Sequence, residues 1–286
     1  MITFLRFARA HTVVGTTLSL VALYCIAVRF TGATDHLLLA WTLFSCLAAN
    51  VYITGLNQLT DVEIDRINKP YLPLASGAYS LRTGRVIVGV CGLLAVLSCL
   101  IYPPYLPLTV LSSLLLGTVY SAEPIRLKRY HFWAAFCIIA VRGLIVNLLL
   151  YLHFRTQLGA GAQVQGTVWL LTAVILVFGV IIAWFKDLPD TEGDAVYGIR
   201  TLTLLRSRQW VYGAGSILLA GTLVVASGVA WWLGRPLLGG CLLVLLLGFG
   251  FLASRLDLEE QSSIARFYQG TWGVFFGVYL VFAVLG

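Results

Sequence analysis

The sequence predicts an all-α integral membrane protein, nine transmembrane helices packed into a single bundle. Three observations predict it. Charged residues make up 11% of the chain and apolar residues 59%, whereas a soluble domain carries roughly 25% charge. Apolar runs close to the roughly 17–25 residues that cross a bilayer recur along the whole length. Basic residues crowd into alternate loops. Inside lipid every backbone amide must find its partner within its own segment, so each run is read as helix.

In chain order the runs cover residues 12–28, 37–56, 86–101, 105–120, 132–154, 167–185, 211–232, 237–253 and 267–285. The first lies between Arg9 and Arg29, and the second ends where a polar stretch opens at Asn57. The third and fourth are short and meet at Tyr102-Pro-Pro-Tyr105, which predicts a tight helical hairpin. The fifth holds Arg142 and Asn147 within it, and the sixth stops at Lys186. The last three are uninterrupted.

Orientation follows from the basic residues. With nine spans, loops on the N-terminal side hold fifteen of the nineteen Lys and Arg, and the other side holds three, Arg29, Arg155 and Arg235. Positive-inside counting puts the N-terminus in the cytoplasm and the C-terminus opposite. The polar stretches 57–85, 121–131 and 186–209 all fall on the cytoplasmic side. The expected organisation is one domain over residues 1–286. It holds a weak repeat, about 12–131 and 132–253, followed by the final helix 267–285.

Several classes are excluded. The net charge of +7 is a topology signal and not a nucleic-acid footprint. The six Cys lie in apolar runs without a Cys-x-x-Cys pair, as small buried hydrophobes do. No protein partner is indicated. The N-terminus shows neither a cleavable signal pattern nor an Arg- and Ser-rich transit segment, which predicts a bacterial or already mature chain.

Seven of the twelve carboxylates gather in two clusters at the ends of apolar runs. The first is Asn57-Gln-Leu-Thr-Asp61-Val-Glu63-Ile-Asp65-Arg66-Ile-Asn-Lys69, and the second is Lys186-Asp187-Leu-Pro-Asp190-Thr-Glu192-Gly-Asp194. Such crowding repels itself unless cations neutralise it. On a helix Asn57, Asp61 and Asp65 share one face, and so do Asp187, Asp190 and Asp194. Hard oxygen ligands without His or Cys suit Mg²⁺, which shares phosphate oxygens. The plainer reading is that acids simply end spans in water, but Asp35 and Asp257 show ordinary loop acids here, scattered and unpatterned. The chain's three lysines, Lys69, Lys128 and Lys186, each fall in one of the polar cytoplasmic stretches. A compact ammonium pairs well with phosphate, so acids and lysines together describe a diphosphate site. Arg142 and Asn147 lie at membrane depth, where charge is costly and faces the bundle interior. Two roles are open to Arg142, holding a substrate carboxylate or diphosphate, or pairing with a buried carbonyl. His11 is either an interfacial histidine or a contact of an aromatic substrate.

At this point the residues resemble a family. Asn57-x-x-x-Asp61-x-x-x-Asp65 with Arg66-Ile-Asn-Lys69-Pro is similar to the first aspartate-rich motif of the UbiA superfamily of intramembrane aromatic prenyltransferases. The longer stretch to Gly77, and Lys186 to Asp194, resemble the homogentisate phytyltransferase branch and its cyanobacterial members. His11-Thr-Val-Val-Gly-Thr-Thr17, Arg126-Leu-Lys-Arg129 and Val141-Arg142-Gly-Leu-Ile-Val-Asn147 do the same. The resemblance runs from about Phe7 to Tyr279. It implies a nine-helix bundle around a central cavity open laterally to lipid. It implies two Mg²⁺ bridging a diphosphate, one on Asn57, Asp61 and Asp65, the other on Asp190 and Asp194 helped by Asp187. Arg66, Lys69, Lys128 and Lys186 would hold the diphosphate, and Tyr120 would sit near the reacting allylic carbon. The catalytic set is then Asp61, Asp65, Asp190, Asp194 and Tyr120, with Arg142, Asn147 and His11 near the aromatic substrate.

The implied reaction joins the phytyl group of phytyl diphosphate to homogentisate with loss of diphosphate and CO₂, in a bacterial inner or thylakoid membrane. Geranylgeranyl or solanesyl donors, or another phenolic acceptor, are the near alternatives. An ion or organic-anion transporter is the distant one. Transport sites are expected near the midplane on broken helices, whereas both clusters here sit at the ends of spans.

Overall fold

The computed structural model describes residues 2–286, apart from the side chain of Glu192, the third acid of the second cluster, which lies outside the described residues. Two short helices flank two long ones in the part of the chain that carries the first cluster: α1 (Ile2–Phe7), α2 (Ala10–Thr31), α3 (His36–Thr60) and α4 (Val62–Asn68). The hairpin α5 (Leu81–Cys99) and α6 (Tyr105–Ser121) follows, then α7 (His131–Ile139), a π-helical segment (Ala140–Leu149) and α8 (Leu150–Gln157) as one continuous rod. The chain continues through α9 (Gly166–Phe185), α10 (Thr191–Val196), α11 (Leu202–Leu205), α12 (Arg208–Trp232), α13 (Pro236–Ser254) and α14 (Gln261–Leu285). Among the described residues eight helices are long and apolar enough to cross a membrane. The remaining expected span, α6, is apolar but has 17 residues, a length of about 26 Å.

Side-chain caps fix several starts. Asp35 Oδ1 accepts from Leu38 N at 2.9 Å, Ser80 Oγ from Thr83 N at 3.0 Å and Ser207 Oγ from Trp210 N at 3.1 Å, each satisfying a donor the helix cannot. On the far side Arg29 donates to the carbonyls of Ala283 (2.7 Å) and Val284 (2.9 Å), and Arg235 to that of Leu285 (2.9 Å). Two of the three arginines expected on the side opposite the clusters therefore cap the last turn of α14, where cations suit the helix dipole.

α2, α3, α6, the α7–α8 rod, α9 and α14 surround a central chamber. α5 packs outside α3, and α12 and α13 pack outside α9 and α14. α9 is the most enclosed helix, with Phe178, Ile181 and Phe185 fully buried. Two helices depart from the regular winding expected of them. The first cluster does not continue one helix: α3 ends at Thr60, Asp61 leaves helical geometry (φ −118, ψ 15), and α4 starts anew. The fifth span widens to π-helix at 140–149. There Asn147 Nδ2 donates to the carbonyls of Arg142 (2.9 Å) and Gly143 (3.0 Å), and its Oδ1 accepts from Tyr279 OH at 2.8 Å. Such widened turns are frequent at functional sites.

Candidate active site

The two acidic clusters meet at one end of the chamber. α4 packs on α10, so segments about 125 residues apart in sequence are joined directly. Lys69 Nζ bonds Asp190 Oδ2 across the join. Asn68 Oδ1 accepts from Gly193 N at 2.9 Å while its Nδ2 donates to Asp194 Oδ1 at 3.4 Å. Gly193 is required here, because a Cβ would lie 2.5 Å from Asn68 Oδ1.

Every lysine of the chain ends on an aspartate of these clusters. Lys128 Nζ lies 2.5 Å from Asp61 Oδ1, and Lys186 Nζ lies 2.6 Å from Asp187 Oδ1. Arg126 Nη2 adds a second cation to Asp61 at 2.9 Å, and Asn57 Nδ2 donates to Asp61 Oδ2 at 3.0 Å. Lys128 is delivered by a 3₁₀ turn, Leu127–Arg129, that is strapped to the second cluster's loop by backbone bonds between Arg129, His131 and Arg200.

Burial and neighbours set the charges. Burial pushes Asp65 up to about 6, against the pull of Arg9 and Lys69. Burial, reinforced by Asp190 and Asp187, pushes Asp194 up to about 7. Burial lowers Lys128 to about 8 although Asp61 opposes it. Burial also works against the charge on Lys69 and Lys186, but Asp190 and Asp187 outweigh it and hold both firmly protonated.

The donor set fits a hard divalent cation. It is all oxygen, and Asp65 Oδ2 and Asp190 Oδ1 are buried without a hydrogen-bond partner. Such orphaned acceptors are costly unless something else meets them. Among the described residues no three carboxylates converge on one point, since Lys69, Lys128, Lys186 and Arg126 stand between them.

Behind this mouth the chamber measures about 240 Å³. Arg9, Asn57, Tyr120 and Lys186 line it at the charged end, and Leu20, Val110, Leu150 and Phe275 at the apolar end. His11, Arg142 and Trp272 form one patch of its wall. The Arg142 guanidinium lies 4.8 Å from the centre of the Trp272 ring, and His11 meets that ring edge-on at 5.0 Å. α2 comes close here because of Gly15, where a Cβ would stand 3.2 Å from Trp272 and 3.6 Å from Arg142 Nη1. Among the described residues Arg142 has no carboxylate partner.

Most of the expected residues therefore converge: Asn57, Asp61, Asp65, Lys69, Tyr120, Lys128, Lys186, Asp187, Asp190 and Asp194 at the mouth, with His11 and Arg142 on the wall. Two do not. Arg66 is exposed and pairs with Glu63 at 2.6 Å on the outer surface. Asn147 does not line the chamber, since each of its polar atoms is engaged in holding the π-helix. Sequence reasoning passed over Arg9, Asn68, Arg126, Trp272 and Tyr268, the last of which also lines the chamber. Asn68 and Arg126 sit inside quoted motifs and were legible as neighbours of chemistry, whereas Arg9 and Trp272 carry no local signal.

Residues 18–280 match the UbiA prenyltransferase family. The chain belongs to the UbiA prenyltransferase family. This UbiA-family chain is 45% identical to homogentisate phytyltransferase of Synechocystis sp. over 98% of its length and 94% of that protein. It is 37% identical to homogentisate phytyltransferase 1, chloroplastic, of Arabidopsis thaliana, covering 99% of this chain and 75% of that one. Its fold matches a UbiA homologue from Archaeoglobus fulgidus bound to GPP and Mg²⁺ with a TM-score of 0.66 at 17% identity, covering 96% and 99% of the two chains.

Proposed function

We propose that the protein is a magnesium-dependent homogentisate phytyltransferase, which makes 2-methyl-6-phytyl-1,4-benzoquinol for tocopherol synthesis. One arrangement carries the reading. The chamber joins a mouth of lysines and aspartates to a wall where Arg142 lies over Trp272 without a carboxylate of its own. That arrangement suits a diphosphate at one end and an acidic aromatic beside it.

Asn57, Asp61 and Asp65 would hold one magnesium ion, and Asp187, Asp190 and Asp194 a second. Bound magnesium would neutralise the diphosphate's charge as it leaves. Lys69, Lys128 and Lys186 supply donors to the same oxygens. Tyr120, at the chamber's charged end, stands where the allylic carbon meets the diphosphate. The apolar depth takes the isoprenoid tail and keeps water from the developing allylic cation. Arg142 pairs with the acceptor's carboxylate and Trp272 offers its face to the ring.

The allylic carbon–oxygen bond breaks, diphosphate leaves, and a ring carbon beside the phenol hydroxyl forms the new bond. The ring proton lost there balances the proton that the side-chain methylene gains when CO₂ departs. We place the N-terminus and the mouth on the cytoplasmic side, in a bacterial inner or thylakoid membrane, and read the chain as one domain built on a rough repeat.

Membranes carrying the protein, given homogentisate with labelled phytyl, geranylgeranyl and solanesyl diphosphates, are expected to yield the methyl-phytyl quinol in preference. A preference for another donor moves the assignment to that donor. No prenylated quinol from any donor overturns the reading, and Asp61→Ala is expected to abolish diphosphate release.

A further inference from the structure

Arg9 reaches the mouth from an element outside both motifs. Its backbone is left-handed (φ 52, ψ 82) at the break between α1 and α2, a conformation that side-chain-bearing residues rarely adopt. Such a residue persists only when its surroundings hold it there.

The holding device is Phe7, which is fully buried among Val51, Leu74 and Val88, with Tyr79 packed on the group. Its socket exists because of Gly55, where a Cβ would lie 2.7 Å from Phe7 Cε1, Phe7 Cζ and Val88 Cγ2. Gln58 Nε2 donates to the Phe7 carbonyl at 2.6 Å, and Thr12 Oγ1 to that of Ala8 at 3.0 Å. The backbone just before Arg9 is therefore pinned to α3 and α2.

From this position Arg9 Nη2 donates to Asn57 Oδ1 at 2.9 Å, and the side chain lines the chamber beside Lys186 and Tyr120. Its Nε is buried and, among the described residues, has no partner. One edge of the guanidinium is thus fixed on the first motif, while a desolvated N–H is left to find an acceptor. A planar fork oriented in this way matches phosphate oxygens better than a lysine does.

We propose that Arg9 is a diphosphate-binding residue of the transfer reaction, and that the Phe7–Gly55 lock is the device that positions it. The assignment rests on the prenyl-transfer reading above. The short helix α1 is on this account part of the active site.

The test uses the full chain in lipid nanodiscs, with pyrophosphate and magnesium as the binding probe. Calorimetric pyrophosphate affinity, the KM for each substrate and the melting temperature are measured together. Arg9→Gln and Arg9→Lys are expected to weaken pyrophosphate binding and raise the KM for the prenyl diphosphate about 10–100-fold, as loss of a charge-assisted bond does. The KM for homogentisate should stay unchanged. Phe7→Ala and Gly55→Ala should weaken pyrophosphate binding in the same direction, and Phe7→Leu, which refills the socket, should recover it. Wild-type affinity for pyrophosphate in both Arg9 variants overturns the binding role. A Phe7→Ala protein that melts earlier yet binds pyrophosphate as wild type overturns the positioning role. A wild-type protein that binds pyrophosphate through Arg9 but prenylates no acceptor supports the assignment and sinks the reading of the reaction.

Discussion

Arg142 stands in a membrane span with an aromatic face for company and, among the described residues, no acid to answer it. A buried charge left in that condition is expensive, so the carboxylate of the proposed acceptor would be its natural counter-ion. Arg142→Gln is therefore expected to raise the KM for homogentisate about 10–100-fold while leaving pyrophosphate affinity in place, as titration calorimetry would show. The acids at the mouth predict a pH effect. Burial holds Asp194 up to about 7 and Asp65 up to about 6. A divalent cation needs both deprotonated, so magnesium affinity should fall as pH drops through those two values. Binding within that window should release protons, which calorimetry in buffers of different ionisation enthalpy detects. Most mouth residues were legible because acids and lysines are so rare in this chain that each one stands out. Arg9 was not, since nothing near it in sequence announces a partner 48 residues away. Arg66 misled for the opposite reason: it belongs to a motif, yet Glu63 three residues earlier holds it at the surface.

At the scale of elements, the apolar runs located the long helices to within a few residues, because lipid permits no other structure for them. Pitch was not legible. The run at 132–154 looks like any other span, and its widening depends on a tyrosine 132 residues further on. Asn147 holds that π-helix as a clasp and leaves Arg142 facing the chamber. Replacing it by leucine strands the Tyr279 hydroxyl and takes the side-chain bond from two carbonyls that keep the helix's own amide donors. The cost should be about 1–3 kcal/mol per stranded group, seen as a lower melting temperature in detergent. As the helix rewinds, the KM for homogentisate should rise too. Tyr279→Phe removes one bond of the clasp and should show a smaller change in both. The short α4 and α10 were unreadable as separate elements, since the break at Asp61 is a matter of backbone angles and leaves the sequence spacing intact.

For the whole molecule, charge counting predicts both clusters on one side of the bilayer, and the family resemblance has them share one diphosphate. What neither could tell is how the clusters are fastened. The fastening is Asn68 against Gly193, reinforced by Lys69 and Asp190. Gly193→Ala puts a methyl 2.5 Å from Asn68 Oδ1 and is expected to push the clusters apart. The protein should melt near the wild-type temperature, because its spans are untouched, but require far more magnesium for diphosphate release. A magnesium titration of activity beside a thermal scan separates the two effects.

The shortness of α6 has a further consequence for the lipid around the protein. Its outer face, with Leu108, Leu111 and Leu115 exposed, is about 26 Å long, against a hydrocarbon layer of about 30 Å. A bilayer that thins beside it would draw Tyr120, near the helix's end, below the headgroup plane, to the depth of an isoprenoid's first carbons. Turnover should then track acyl-chain length, highest in liposomes of short-chain phosphatidylcholine and falling as the tails lengthen.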